Sequence, residues 1–515
     1  MTNLVDHLKA PPRADRGAIY DLGFMISDWG RALAATGRHI RNQKSAIRNP
    51  SSRGLTLIEM LVALAVTLVM MAAVVNLFAN MTGSIRNRRA AIEAGAQLRQ
   101  VRQRLALDFQ GATSQGIPWQ DPAENQGYIE IIEGEWTDKN PSQLLLDTDL
   151  DGLPDSIDAT TSLLPSSQKI DPSVGQVTDG RALGDWDDII ALTVRSESDP
   201  FVGVDDLGTP ANGDDVTVES PLAEVIWFAN ERPAGTPPDA YDGMRTVYRR
   251  VLLIAPWRGP WTTDEDNPPK NISARWDQTR NQWVANTLSD LTKRENRACR
   301  LAISDFPHAL ERGRLFFAHG GGVGFEAVAL SNTLAFDVRV FDPTAPLFEN
   351  SGVVVGPCDA GFRASDFTAI PSPKVGEGDY VDLNYRASYD RYIFDMNMDT
   401  SLTGTLPATP LSLFSELPHD KSRLRAPLGR GGVYDTWSYH YENDGINQDA
   451  YMDDIVDQGT NGLDDDGING VDDKGERETS PPYDTPLLGV KVLFRVYERD
   501  ARQIREASVT HSFKP

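Results

Sequence analysis

A chain of 515 residues with 40% hydrophobic side chains can bury a core, and its mean hydropathy of −0.37 marks most of it as soluble. Its net charge of −24 argues against a nucleic-acid partner, because phosphate binding needs clustered Lys and Arg. Two cysteines, Cys299 and Cys358, exclude a disulfide scaffold or a four-cysteine zinc site; they leave one disulfide or two buried thiols open.

The first strong signal in chain order is apolar. Met60 to Ala79 is a run of 20 residues whose only polar members are Thr67 and Asn76. At about 1.5 Å per residue such a helix spans ~30 Å, the thickness of a bilayer core. No second run of this kind follows, so a single pass is expected. Arg31, Arg38, Arg41, Lys44, Arg48 and Arg53 precede the run with no acidic residue among them, which keeps the N-terminal side cytoplasmic. Ala79-Asn80-Met81-Thr82 is a poor match to the small-residue cleavage site of a secretory signal peptide. One carboxylate, Glu59, stands at the front of the run. Inside the apolar zone it costs roughly 2.5–3.5 kcal/mol on insertion scales, so it needs a partner.

The stretch Arg53-Gly54-Leu55-Thr56-Leu57-Ile58-Glu59, continued by the apolar run, resembles the class III signal of type IV pilins and type II secretion pseudopilins. That signal is a basic leader ending in Gly, then an apolar residue, Thr-Leu-Ile-Glu and an apolar helix. The first mature residue here is Leu55 where Phe is usual, and the leader of 54 residues is long. The resemblance implies cleavage between Gly54 and Leu55 by prepilin peptidase and N-methylation of Leu55. It also implies that Glu59 pairs with the α-amino group of a neighbouring subunit during assembly. It implies an inner-membrane precursor with a cytoplasmic N-terminus and a periplasmic head. The mature protein then joins other minor and major pseudopilins in a pseudopilus.

Four segments are expected: a leader over 1–54, a transmembrane half of the first helix over 55–84, an amphipathic half over 85–112, and a head over 113–515. Cleavage leaves 41 Lys+Arg against 70 Asp+Glu, a net charge of −29, so the exported part is the more acidic. Ala94, Leu98, Val101, Leu105 and Phe109 recur at 4-3-4-4 spacing, one apolar face of a helix, with Arg99, Arg102 and Arg104 mainly elsewhere. Gly111 and Pro118 end it.

The head reads as β. Residues 188–195, 223–229, 246–254, 334–341, 490–497 and 505–513 are rich in β-branched and aromatic side chains. The second and third form a long hairpin, and the last two pair. The expected fold class is α+β, pilin-like: a long N-terminal helix packed on an antiparallel sheet, with acidic loop insertions. The pair Glu224-Val-Ile-Trp-Phe228 and Val247-Tyr-Arg-Arg-Val251 is similar to the J-type minor pseudopilin of type II secretion, in which a strand ending in an aromatic precedes one carrying Tyr-Arg-Arg. Large size favours a minor, tip-located subunit.

Two acidic tracts interrupt the head. Asp147, Asp149, Asp151, Asp155 and Asp158 hold positions 1, 3, 5, 9 and 12 of a calcium loop, with Gly152 at position 6 and the Leu153 carbonyl at 7. The stretch also resembles thrombospondin type 3 and dockerin-like loops, with Asp in place of Glu at position 12. Residues 442–478 repeat an Asx-Gly-aliphatic-Asx unit at Asp444, Asn461, Asp466 and Asn469. Each unit is expected to turn at the glycine and point its aliphatic inward; no register completes a calcium loop, and a solvated loop is the default. His319-Gly320-Gly321-Gly322 resembles the oxyanion glycines of esterases, but no G-x-S-x-G turn accompanies it. No catalytic residue is therefore expected. The leading expectation is a non-enzymatic fibre subunit; the alternative is a membrane-anchored, calcium-dependent extracytoplasmic binding module.

Overall fold

The computed structural model describes residues 56–133, 170–171, 176–177, 185–186, 188–205, 215–229, 245–263, 268–298, 327–350, 352–359, 374–385, 412–415, 432–446, 457–473, 475–498 and 503–513. They fall into two units that divide between Phe78 and Ala79.

The first unit is the start of helix α1, which runs in all over Leu57–Gln110. Residues 57–82 have a mean hydropathy of 2.5 and none of that window is buried. Large side chains such as Leu57, Val69, Met71 and Phe78 are 64–77% exposed. Exposure of that much apolar surface over a full bilayer thickness fits lipid as the surrounding solvent.

In the second unit α1 changes character. Ala94, Leu98, Val101, Leu105 and Phe109 are all buried, as the spacing predicts. The helix stops at Gln110 because Gly111 lies against β-structure: a Cβ there would come within 2.4 Å of the Arg195 carbonyl oxygen. The strands follow as β1 (Ile129–Ile132), β2 (Ile170–Asp171), β3 (Gln176–Val177), β4 (Ile189–Arg195), β5 (Phe201–Asp205), β6 (Val216–Ser220), β7 (Leu222–Ala229) and β8 (Arg245–Leu253). Then come β9 (Ala274–Asp277), β10 (Gln282–Ala285), β11 (Ala327–Asn350), β12 (Val353–Val355), β13 (Lys374–Val381), β14 (Val433–Asp435), β15 (Gly489–Glu498) and β16 (Gln503–Ser512).

The main sheet has the order β14-β1-β4-β7-β8-β11-β15-β16, with β12 and β13 added beside β11. Every neighbouring pair in it is antiparallel. The α+β class is thus present, including both expected hairpins: Trp227 faces Arg249 across β7 and β8, and Val492 faces Val509 across β15 and β16. Alternation decides the faces. Ile131, Leu192, Val225, Trp227 and Val338 point to the side where Leu98, Leu105 and Phe109 pack. Ile132, Ala191, Ile226, Phe228 and Leu252 point the other way, against Leu288, Leu291 and Ala298. Covering on both faces explains why β4 and β7 read as near-continuous apolar runs.

Candidate functional site

At the N-terminal end of α1, Thr56 and Glu59 form a capping box. The Thr56 backbone N–H and hydroxyl both donate to Glu59 Oε2, at 3.0 and 3.1 Å, and the Glu59 N–H donates to Thr56 Oγ1 at 3.3 Å. Thr-x-x-Glu is the spacing such a box needs, because the two side chains reach each other's orphan N–H groups over one turn. The Glu59 carboxylate is therefore held at the positive end of the helix while remaining exposed. Gly54 and Leu55 lie outside the described residues.

In the head, Asp108 of α1 is the polar anchor of the helix on the sheet. It accepts two hydrogen bonds of 2.7 Å from Arg249 and one of 2.9 Å from the Trp227 indole. Arg249 and Asp108 are both buried. The aromatic of the β7 strand and the first arginine of Tyr-Arg-Arg in β8 thus share one carboxylate, a link the strand patterns alone did not reveal. The signal was present: Asp108 interrupts an apolar face just before Phe109. A cleft of about 460 Å³ beside this anchor is lined by Gln100, Arg104, Leu107, Trp227, Arg249 and Val328, among others.

A second buried cluster was also missed. Arg294 and Arg297 bridge Glu130 of β1 and Asp435 of β14 at 2.8–2.9 Å. Burial pushes the Asp435 carboxyl up to about 6, against the lowering pull of Arg297. Nothing in the spacing of residues 130, 294, 297 and 435 marks them as partners; only the sheet order brings them together.

The acidic turns of residues 442–473 differ from expectation. Gly445, Gly462, Gly467 and Gly470 do adopt positive φ, 70–103°. Asp444, Asn461 and Asp466 each accept the N–H two residues on, at 2.7–2.8 Å. The aliphatics, however, point outward: Ile446, Leu463, Ile468 and Val471 are 58–61% exposed. The inside is polar instead. The buried Glu476 carboxylate accepts the N–H groups of Asp465, Asp466 and Asp473, and the buried Glu442 accepts those of Glu478 and Thr479. Burial raises the Glu442 carboxyl above its ordinary range. Backbone N–H groups turned inward must be satisfied, and two glutamates do it, so the interior is polar while Leu463 and Ile468 face outward.

Ligand atoms of Asp464, Asp466 and Glu476 lie within 4.8 Å of one another, as do those of the buried Glu133, Asp185 and Asp382. The calcium loop expected at Asp147, Asp149, Asp151, Leu153, Asp155 and Asp158 lies outside the described residues. So do Cys299 and the His319-Gly-Gly-Gly stretch. Cys358 is buried, with its Sγ 3.2 Å from Asp382 Oδ1.

Residues 49–75 match the prokaryotic N-terminal methylation motif. The chain carries a pilin-type N-terminal signal. That motif fits type IV pilin- and pseudopilin-like proteins processed by prepilin peptidase, and it implies assembly with other pilin-type subunits in a membrane. The single described helix long and apolar enough to cross a bilayer agrees with an anchor that passes once. No curated protein and no solved structure matches the chain.

Proposed function

We propose that this chain is a non-catalytic structural subunit of a type II secretion-like pseudopilus or a type IV pilus. It is cleaved after Gly54, N-methylated on Leu55 and drawn from the inner membrane into a fibre, with its head on the periplasmic side. The observation that carries this reading is a methylation motif at residues 49–75 running into an exposed apolar helix whose one carboxylate, Glu59, sits four residues after Leu55. Inside hydrocarbon the capping box alone leaves a net negative charge. The new α-amine of a neighbouring subunit supplies the missing cation. A large head suits a minor subunit near the tip, where few copies stack. The Trp227–Asp108–Arg249 anchor supports a J-type subtype, since it gives the β7–β8 sequence pair a structural purpose. Disulfide pairing of Cys299 with Cys358 would suit an oxidising periplasm.

Mass spectrometry of the protein from peptidase-competent cells tests the first step. Methylated Leu55 at the N-terminus is expected; a chain that keeps its leader overturns the reading. Glu59→Ala should be cleaved normally and fail to assemble. Normal assembly of that variant would remove the pairing role.

The second reading is a calcium-dependent binding module on the same anchor. It draws support from the convergence of Asp464, Asp466 and Glu476 and from the spacing of Asp147–Asp158. Removing calcium with a chelator should then lower the melting temperature of the full chain, and an unchanged melt would dismiss the metal.

A further inference from the structure

The exposed charge on α1 is one-sided. Between residues 86 and 104 the helix carries Arg86, Arg88, Arg89, Arg99, Arg102 and Arg104, all exposed, against a single acid, Glu93. The rest of the mature chain beyond residue 104 has 35 Lys+Arg and 68 Asp+Glu. On one flank of α1 the positive charge is concentrated further. Arg99 and Arg505 of β16 each bring a guanidinium nitrogen to 3.6 Å from the same point beside Gly95. Like charges gathered on one flank repel unless an anion screens them. Among the described residues neither they nor Arg102 makes an ion pair, and the buried Nε of Arg505 has no hydrogen-bond partner.

The opposite charge grows from the other end of the sheet. β16 is one terminal strand of the main sheet and β14 is the other. The acidic turns follow β14 directly, and they present Asp464, Asp465 and Asp466 beside the exposed Leu463 and Ile468. Carboxylates clustered around these side chains repel a like-charged membrane surface and attract a cationic one. Lipid is also a poor partner for the arginines. Arg99 and Arg102 lie 17 and 20 residues beyond the end of the apolar span at Thr82, about 25–30 Å along the helix and several Debye lengths from its end.

We propose that the patch Arg99–Arg102–Arg505 docks the acidic turns around Asp464–Asp466 of a second copy of this chain. Because the two surfaces differ, the contact is head to tail, and it joins the few copies that stack near the tip. The inference rests on the fibre-subunit reading and adds which surfaces meet.

Charge reversal on the full chain in non-ionic detergent tests it, with sedimentation at physiological salt as the measurement. The triple variant Arg99→Glu/Arg102→Glu/Arg505→Glu should weaken self-association about tenfold. Asp464→Arg/Asp465→Arg should do the same; neither aspartate side chain accepts a turn-closing backbone N–H bond. Mixing the two variants should restore association. Substituting Lys at the three arginines should preserve it, which separates lost charge from lost folding. Association unchanged by reversal, or a mixture no stronger than either variant alone, overturns the contact. So does a triple variant that loses only its binding to vesicles of anionic lipid. Leader cleavage, followed in the same strains, reports on the fibre-subunit reading separately: normal cleavage with no rescue sinks only the contact.

Discussion

At the residue scale, the head depends on Asp108. Its carboxylate is the acceptor for Arg249 and for the Trp227 indole, and all three side chains are out of water. Asp108→Ala leaves a guanidinium buried without its anion, a loss of about 3–5 kcal/mol. Chemical denaturation should show it as a lowered midpoint with an unchanged slope. Glu442 is a second test. It accepts N–H groups at 2.8 and 3.0 Å from Glu478 and Thr479 across 36 and 37 residues of chain. Glu442→Gln keeps an acceptor and should cost less than Glu442→Ala, which leaves those donors unmet at about 1–3 kcal/mol each. Protease digestion restricted to residues 442–478 is the readout, because the tract should open before the sheet does. At this scale the sequence was partly silent. It marked Glu59 because a carboxylate breaks an apolar run, yet gave no sign that Glu442 and Glu476 hold turns together, since their partners are backbone N–H groups that every residue carries.

At the scale of the element, α1 was legible and the turns were not. A 3.6-residue period survives in the sequence whatever the tertiary setting, so Leu98, Val101, Leu105 and Phe109 declared their face in advance. The turns were predicted correctly at their glycines, where positive φ leaves a residue-type signature, and wrongly at their aliphatics, where direction depends on what fills the interior. Two consequences follow for α1. Leu105 is fully buried, and Leu105→Ala should cost about 2–5 kcal/mol in a denaturant titration. His511 of β16 stacks on Phe109 with centroids 5.5 Å apart, and burial holds its imidazole below the usual histidine range. The folded state therefore prefers the neutral ring. Its contribution is complete above the unfolded-state value near 6.5 and is lost as pH falls through the lower folded-state value. Melting temperatures between pH 7.5 and 5 should fall less steeply in His511→Phe than in the unaltered chain.

At the scale of the molecule, strand existence came from composition, and hairpin partners came from adjacency. The sheet order did not. β1 pairs with β14, so that Ile131 faces Tyr434, although some 300 residues separate them. The Glu130–Arg294–Arg297–Asp435 cluster depends on that pairing and was invisible for the same reason. Gly111→Ala tests the junction between helix and sheet: the added methyl would meet the Arg195 carbonyl and the Val194 side chain at 2.4 and 2.9 Å. It should lower the melting temperature of the whole head and leave the export signal untouched, which immunoblotting for the cleaved form would reveal.

The closure of β1 by β14 has a temporal side. As the polypeptide is made, β1 appears early and must wait with a bare rim until some 300 further residues have followed. Until then its N–H and C=O groups are open to adventitious pairing with other nascent chains. Translation stopped short of Val433 would strand it permanently, and such fragments should be cleared by quality-control proteases while the full-length protein persists.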